Sequence, residues 1–173
     1  MSAKGINEKK IGEILVAYQI INEEQLTHAL KVQTQSGGRL GSVLYDLGYV
    51  QMDRLLEFLG KQLGVPPLNL YRHVIEPAVL NLLPFEKIKS YRAIPVAANA
   101  NSIALAMSDP NNIVARDELE FFLGRSIKPV VVPYFQLAAA ISYIDARGGS
   151  STSRFSGLIW KNMQRGDSKK LKL

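Results

Sequence analysis

Residues 10–33 read KIGEILVAYQIINEEQLTHALKVQ, and residues 39–62 read RLGSVLYDLGYVQMDRLLEFLGKQ. A shift of 29 positions lays one stretch on the other. Lys10, Ile11 and Gly12 meet Arg39, Leu40 and Gly41; Ile14 and Leu15 meet Val43 and Leu44; Ile20 and Ile21 meet Tyr49 and Val50. Further on, Leu26 meets Leu55, Leu30 meets Leu59, and Gln33 meets Gln62. Chance aligns a few leucines, but it rarely aligns a glycine, a glutamine and the apolar positions between them. The chain therefore opens on a tandem repeat.

Each copy reads as two helices. Asn7 is placed to cap a helix whose apolar face is Ile11, Ile14, Leu15 and Tyr18. Asn22 followed by Gln25 is a capping-box pattern, and it opens a second helix carrying Leu26, Ala29, Leu30 and Gln33 on one face. Gly37 and Gly38 separate the copies. The second copy predicts a helix near 39–47, a left-handed stop at Gly48, and a helix from about 52 to 63 that ends at Gly64.

The pattern then changes. A short helix is expected from Pro77 to Leu83, and strands at Arg92–Val96 and Ile103–Met107 around turn residues Asn99–Ser102. Asp109–Asn112 forms a capping loop for a helix at about 113–123, closed by Gly124. A third strand at Ile127–Val132 and a helix at Tyr134–Ile144 follow. Helices first, then strands mixed with helices, indicate an α+β chain of about three strands. The expected division is a helical repeat over 1–68, a small α+β part over 69–146 and a flexible basic tail over 147–173.

Composition limits the chemistry. There is no cysteine, which excludes disulfides and thiolate metal sites. His28 and His73 are far apart without ligand-like spacing, and they read as surface or packing residues rather than a metal pair. No apolar run approaches the ~20 residues that cross a bilayer, so a cytoplasmic location is expected. The net charge of +6 resides in the tail. Residues 1–146 hold 14 basic and 14 acidic residues, whereas 147–173 hold seven basic residues against Asp167. A DNA-binding face is therefore not expected. The tail, with Leu158, Ile159, Trp160 and Met163 among its lysines, has two readings. It is a solvated extension, or an anchor making weak contact with a partner groove or an anionic membrane surface.

Two copies of one site suit a ligand that is itself two-fold. Each copy supplies a cation, a glycine permitting close approach, a pair of leucines and a glutamine amide able to donate and accept. In this arrangement the second copy, with two apolar residues after Gly41 and two more after Gly48, resembles the MshEN domain. That domain forms the N-terminal part of type II secretion and type IV pilus ATPases. The resemblance covers 10–33 and 39–62, with the spacer Thr34–Gly38 of the family's usual length, and residues 75–145 look like the family's smaller α+β part. It implies one cyclic di-GMP lying along both motifs. The implied contacts are Lys10, Ile11, Gly12, Leu26, Leu30 and Gln33, and Arg39, Leu40, Gly41, Ser42, Leu55, Leu59 and Gln62.

Two positions depart from the family pattern. Lys10 replaces an arginine and loses its planar fork. Gln19 replaces a glycine, which is costly where the backbone must be left-handed. Both weaken the first motif. No GxxxxGK[ST] phosphate loop and no catalytic or metal constellation is present in the sequence, so the chain reads as a binding module without cofactor and not as an enzyme. Three roles fit: a cyclic di-GMP receptor acting on a protein partner of a secretion, pilus or motility machine; an adaptor that kept the fold and lost the ligand; or a regulatory piece of a larger ATPase.

Overall fold

A computed structural model describes residues 4–146. The elements are α1 (Lys4–Ala17), α2 (Glu23–Ser36), α3 (Leu40–Asp46), α4 (Met52–Leu63), α5 (Pro77–Leu80), α6 (Phe85–Tyr91), β1 (Ala93–Ala98), β2 (Ser102–Met107), α7 (Ile113–Leu123), β3 (Ser126–Val131) and α8 (Tyr134–Asp145). A 3-10 turn, Leu70–Arg72, lies between α4 and α5. The chain is α+β, as its sequence indicates.

The repeat is present in the backbone itself. After α1, the N–H groups of Gln19 and Ile20 donate to Val16 and Leu15 carbonyls at 2.8 and 2.9 Å. After α3, 29 residues later, those of Gly48 and Tyr49 donate to Tyr45 and Leu44, each at 2.9 Å. The first bond of the following helix also recurs, from Leu26 to Asn22 and from Leu55 to Gln51, at 3.0 Å in both. Asn22 and Gln25 form the expected capping box, and Gly64 ends α4 in the left-handed region with φ 67°.

Some boundaries differ from those expected. Helix α1 begins at Lys4, so Asn7 lies inside it: the residues upstream continue the helix and displace the cap. Tyr18 lies beyond α1 and is exposed, meeting Phe58 edge-on. The helix at Pro77 stops at Leu80 and continues as tight turns to Leu83. The sequence reading missed α6, a seven-residue segment rich in charge in which Ile88 alone is fully buried.

The sheet has the order β1-β2-β3. The first pair is antiparallel, with a bulge between Pro95 and Ala97, and the second is parallel. Helix α7 makes the crossover. Pro95 and Pro129 both sit on edge strands, where a missing donor costs least. Helices α5 and α6 pack on β1, α7 on β3 and α8 on β2.

Two apolar clusters result. One is built from α1–α4 around Leu15, Leu40, Leu44 and Phe58. The other surrounds the sheet with Leu70, Ile94, Leu105, Leu119 and Leu137. Burying each such side chain contributes about 1.5–3 kcal/mol. The connector between them is pinned to the sheet edge: Leu68 N–H donates to the Val131 carbonyl, and Val131 N–H to Pro66, both at 2.9 Å.

Helix α8 joins the two clusters with three successive residues. Tyr134 meets Arg39, with 4.4 Å between guanidinium carbon and ring centroid. Phe135 stacks on Tyr45 of α3 at 5.0 Å and belongs to the helical cluster. Gln136 is fully buried. Its carbonyl oxygen accepts from Leu70 N–H at 2.8 Å, and its amide nitrogen donates to Asn69 Oδ1 at 3.1 Å and Met52 Sδ at 3.2 Å.

Candidate functional site

Arg39 occupies the position before α3, extended at φ −98° and ψ 144°, without capping that helix by its side chain. Its half-buried side chain lies against Tyr134. Leu40 is fully buried in the helical cluster. Gly41 faces open space, since a Cβ built there would find nothing within 4 Å, and Ser42 is half-buried beside it. On α4, Leu55 belongs to the core, Leu59 packs half-buried on its edge, and Gln62 is exposed. The second motif thus offers an arginine, an uncovered glycine, a serine, a leucine and a glutamine near its surface. Leu40 and Leu55 are buried in the helical cluster.

The first motif is more closed. Gly12 is buried, and a Cβ on it would come within 2.5 Å of Leu26 Cδ1 and 3.2 Å of Leu40 Cδ2. Its close approach is to α2 and α3, and it lets the two motifs meet through Leu26 and Leu40. Ile11 and Leu30 are half-buried against the same cluster. Gln33 donates to the Gly38 carbonyl at 3.0 Å, closing the spacer that leads to Arg39. The Lys10 side chain and the 147–173 tail lie outside the described residues.

The turn residue of each copy is left-handed: Gln19 has φ 54° and Gly48 φ 71°. Across the copies, the Nδ1 of His28 and the hydroxyl of Tyr49 are paired at 2.6 Å. His73 pairs through Nε2 with the Val96 carbonyl at 3.0 Å. Among the described residues no cluster of three metal-binding side chains occurs, and no helix is long and apolar enough to cross a membrane.

Two surface clefts border the first copy. One, of 310 Å³, is lined by Glu13, Val16, Glu23, Leu26 and Thr27. The other, of 460 Å³, runs along Val16, Gln19–Glu23 and Gln25. Their carboxylates repel a phosphodiester, and neither includes Arg39.

Sequence reasoning missed Arg92 and Tyr134. Arg92 ends α6 in the left-handed region at φ 48°, and its Nη1 donates to the Tyr134 hydroxyl. Nothing local marks this pairing, because it joins residues 42 positions apart. Gln136 was visible in principle, as the one amide in an otherwise largely apolar helix.

The described residues thus form a tandem helical repeat seated on a three-stranded α+β unit. The family profile described as the MshEN domain matches residues 63–151, more than half of the sequence, and the chain belongs to that family. The matched residues are the α+β part, α8 included, so the profile and the repeat point to one family from separate stretches. The type IV pilus assembly ATPase PilB of Myxococcus xanthus is 35% identical over 155 residues, 90% of this chain and 27% of the relative. That of Thermus thermophilus is 32% identical over 149 residues, 85% of this chain and 16% of the relative. The chain thus spans about a quarter or less of these relatives. A solved structure of MshE with cdg (cyclic di-GMP) is 32% identical, with a TM-score of 0.55. The alignment covers 76% of this chain and 96% of that one.

Proposed function

We propose that the chain binds cyclic di-GMP along its tandem repeat and acts as a regulatory module, in the cytoplasm, for a secretion, pilus or motility machine. The observation that carries the reading is the repeated backbone path, with an arginine and an uncovered glycine at the start of its second copy. The likeness to MshE with cyclic di-GMP supports it. Within the site, Arg39 stacks on or hydrogen-bonds a guanine, Gly41 and Ser42 approach the phosphodiester, Leu59 lies against the base, and Gln62 holds a polar edge. Lys10, Ile11, Gly12, Leu26, Leu30 and Gln33 serve the other half more weakly, while Leu40 and Leu55 support both from within the helical cluster. The helical part over 1–68 carries the ligand, and the ligand-bound chain acts on a protein partner.

A second reading is favoured by particular residues. Gln19 in a left-handed turn and Leu26 pressed on Gly12 both suit an adaptor that has kept the fold and lost the ligand. Calorimetric titration of the full chain with cyclic di-GMP separates the two. Saturable one-to-one binding is expected; absence of heat at millimolar ligand, checked by equilibrium dialysis, would establish the adaptor.

A further inference from the structure

The proposed ligand arginine is held from the other half of the molecule. The Arg39 guanidinium carbon lies 4.4 Å from the centroid of the Tyr134 ring. Arg92 grips the same tyrosine by its hydroxyl, with its own guanidinium carbon 5.1 Å from the centroid. Among the described residues the ion pairs are Lys61–Glu57, Arg72–Asp53 and Lys89–Asp145, so neither arginine is matched by a carboxylate.

We infer that Tyr134, oriented by Arg92, is a positioning residue for Arg39 in ligand binding, and this rests on the cyclic di-GMP reading above. A guanidinium is flat and has two faces. With one face on the tyrosine, the other remains available to a purine, giving a tyrosine–arginine–guanine stack. An arginine free in solvent loses much rotamer freedom when a ligand captures it. Stacking on Tyr134 removes that freedom beforehand, so less is lost on binding. The second cation, Arg92, also leaves positive charge near the ring, which favours a ligand bearing phosphodiesters. Residues from α6 and α8 thereby enter the site of α3, although they touch the ligand only through Arg39.

Calorimetry on the full chain with cyclic di-GMP tests this through a double-mutant cycle. Tyr134→Leu is expected to weaken binding about three- to thirtyfold, the range set by one ordered arginine side chain. Tyr134→Phe keeps the ring but gives up the Arg92 hydrogen bond, so its affinity is expected to fall between those of the parent and Tyr134→Leu; parent-like binding there overturns the orienting role of Arg92. In an Arg39→Ala background, Tyr134→Leu is expected to add nothing. A loosened fold would instead weaken both backgrounds equally, and that outcome overturns the positioning role. NMR of the Arg39 Nε–H supplies a readout without ligand: a ring-shifted resonance in the parent that collapses in Tyr134→Leu supports the stack, and an unshifted one overturns it. A parent chain that binds, with Tyr134→Leu unchanged, overturns the positioning role alone. A parent chain without affinity overturns the nucleotide reading together with it.

Discussion

Gln19 turns the chain with φ 54°, the place held in the second copy by Gly48 with φ 71°. A side chain costs about 1–2 kcal/mol there. Gln19→Gly removes that strain but frees the unfolded chain, which returns about 0.4–1 kcal/mol. A net gain of ~0.5–1 kcal/mol in stability is expected from urea unfolding, along with tighter cyclic di-GMP binding if the turn shapes the first motif. Arg39→Ala acts differently: it is expected to weaken binding at least tenfold by calorimetry while leaving the unfolding midpoint nearly unchanged, since its side chain is half-exposed. Tyr71 supplies a pH test. Burial, then the neighbouring Tyr45 and Asp46, push its phenol up to about 12. The folded chain holds this proton more tightly than the unfolded chain, whose phenol titrates near ~10. The stabilisation is therefore full below pH ~10 and is lost as pH rises toward 12. Tyrosinate absorbance should show a late-titrating component that shrinks in Tyr71→Phe, leaving the part due to Tyr91, whose hydrogen bond to Glu118 also pushes its phenol up.

Among the elements, α8 carries the most consequence. Gln136 is fully buried and satisfies Leu70 N–H at 2.8 Å. Gln136→Leu preserves volume but orphans that donor, while Asn69 Oδ1 keeps its bond from Tyr71 N–H. Such a loss costs about 1–3 kcal/mol. Urea unfolding should show a drop of ~1–3 kcal/mol, and an unchanged midpoint would mean that water replaces the amide. The same helix shows where sequence reading succeeds and fails. Helix α4 was legible to the residue because a left-handed stop is local: Gly64 alone ends it. So was α7, through Asn112 and Gly124. The pairing of Tyr134 with Arg39 and Arg92 was not, because a cation–ring contact leaves no period in the sequence. Helix α6 was hidden for another reason: seven residues with one fully buried side chain make no stripe. Of the proposed site, the residue types and their spacing were legible. Which leucines face outward was not, since Leu55 and Leu59 share a helical face in sequence and differ only in what packs above them.

At the scale of the molecule, the two clusters are unequal. Among the described residues, nineteen buried apolar side chains surround the sheet, and nine hold the helical repeat. The smaller core is expected to open first. Native-state hydrogen exchange should give α1–α4 amides lower opening energies than those of β2, and saturating cyclic di-GMP should raise the former selectively, by RT ln(1 + [L]/Kd). Equal protection in both halves would show that α8 welds them into one cooperative unit. The conserved path of the two copies also bears on protein engineering. A cassette carrying residues 39–62 could be grafted over 10–33 to install arginine and glycine in one step, with the spacer untouched. Volume limits the exchange. Phe58 would fall on Ala29, which is wholly enclosed, and a phenyl ring in that space would force the helices apart. A workable graft keeps Ala29 and transplants the rest.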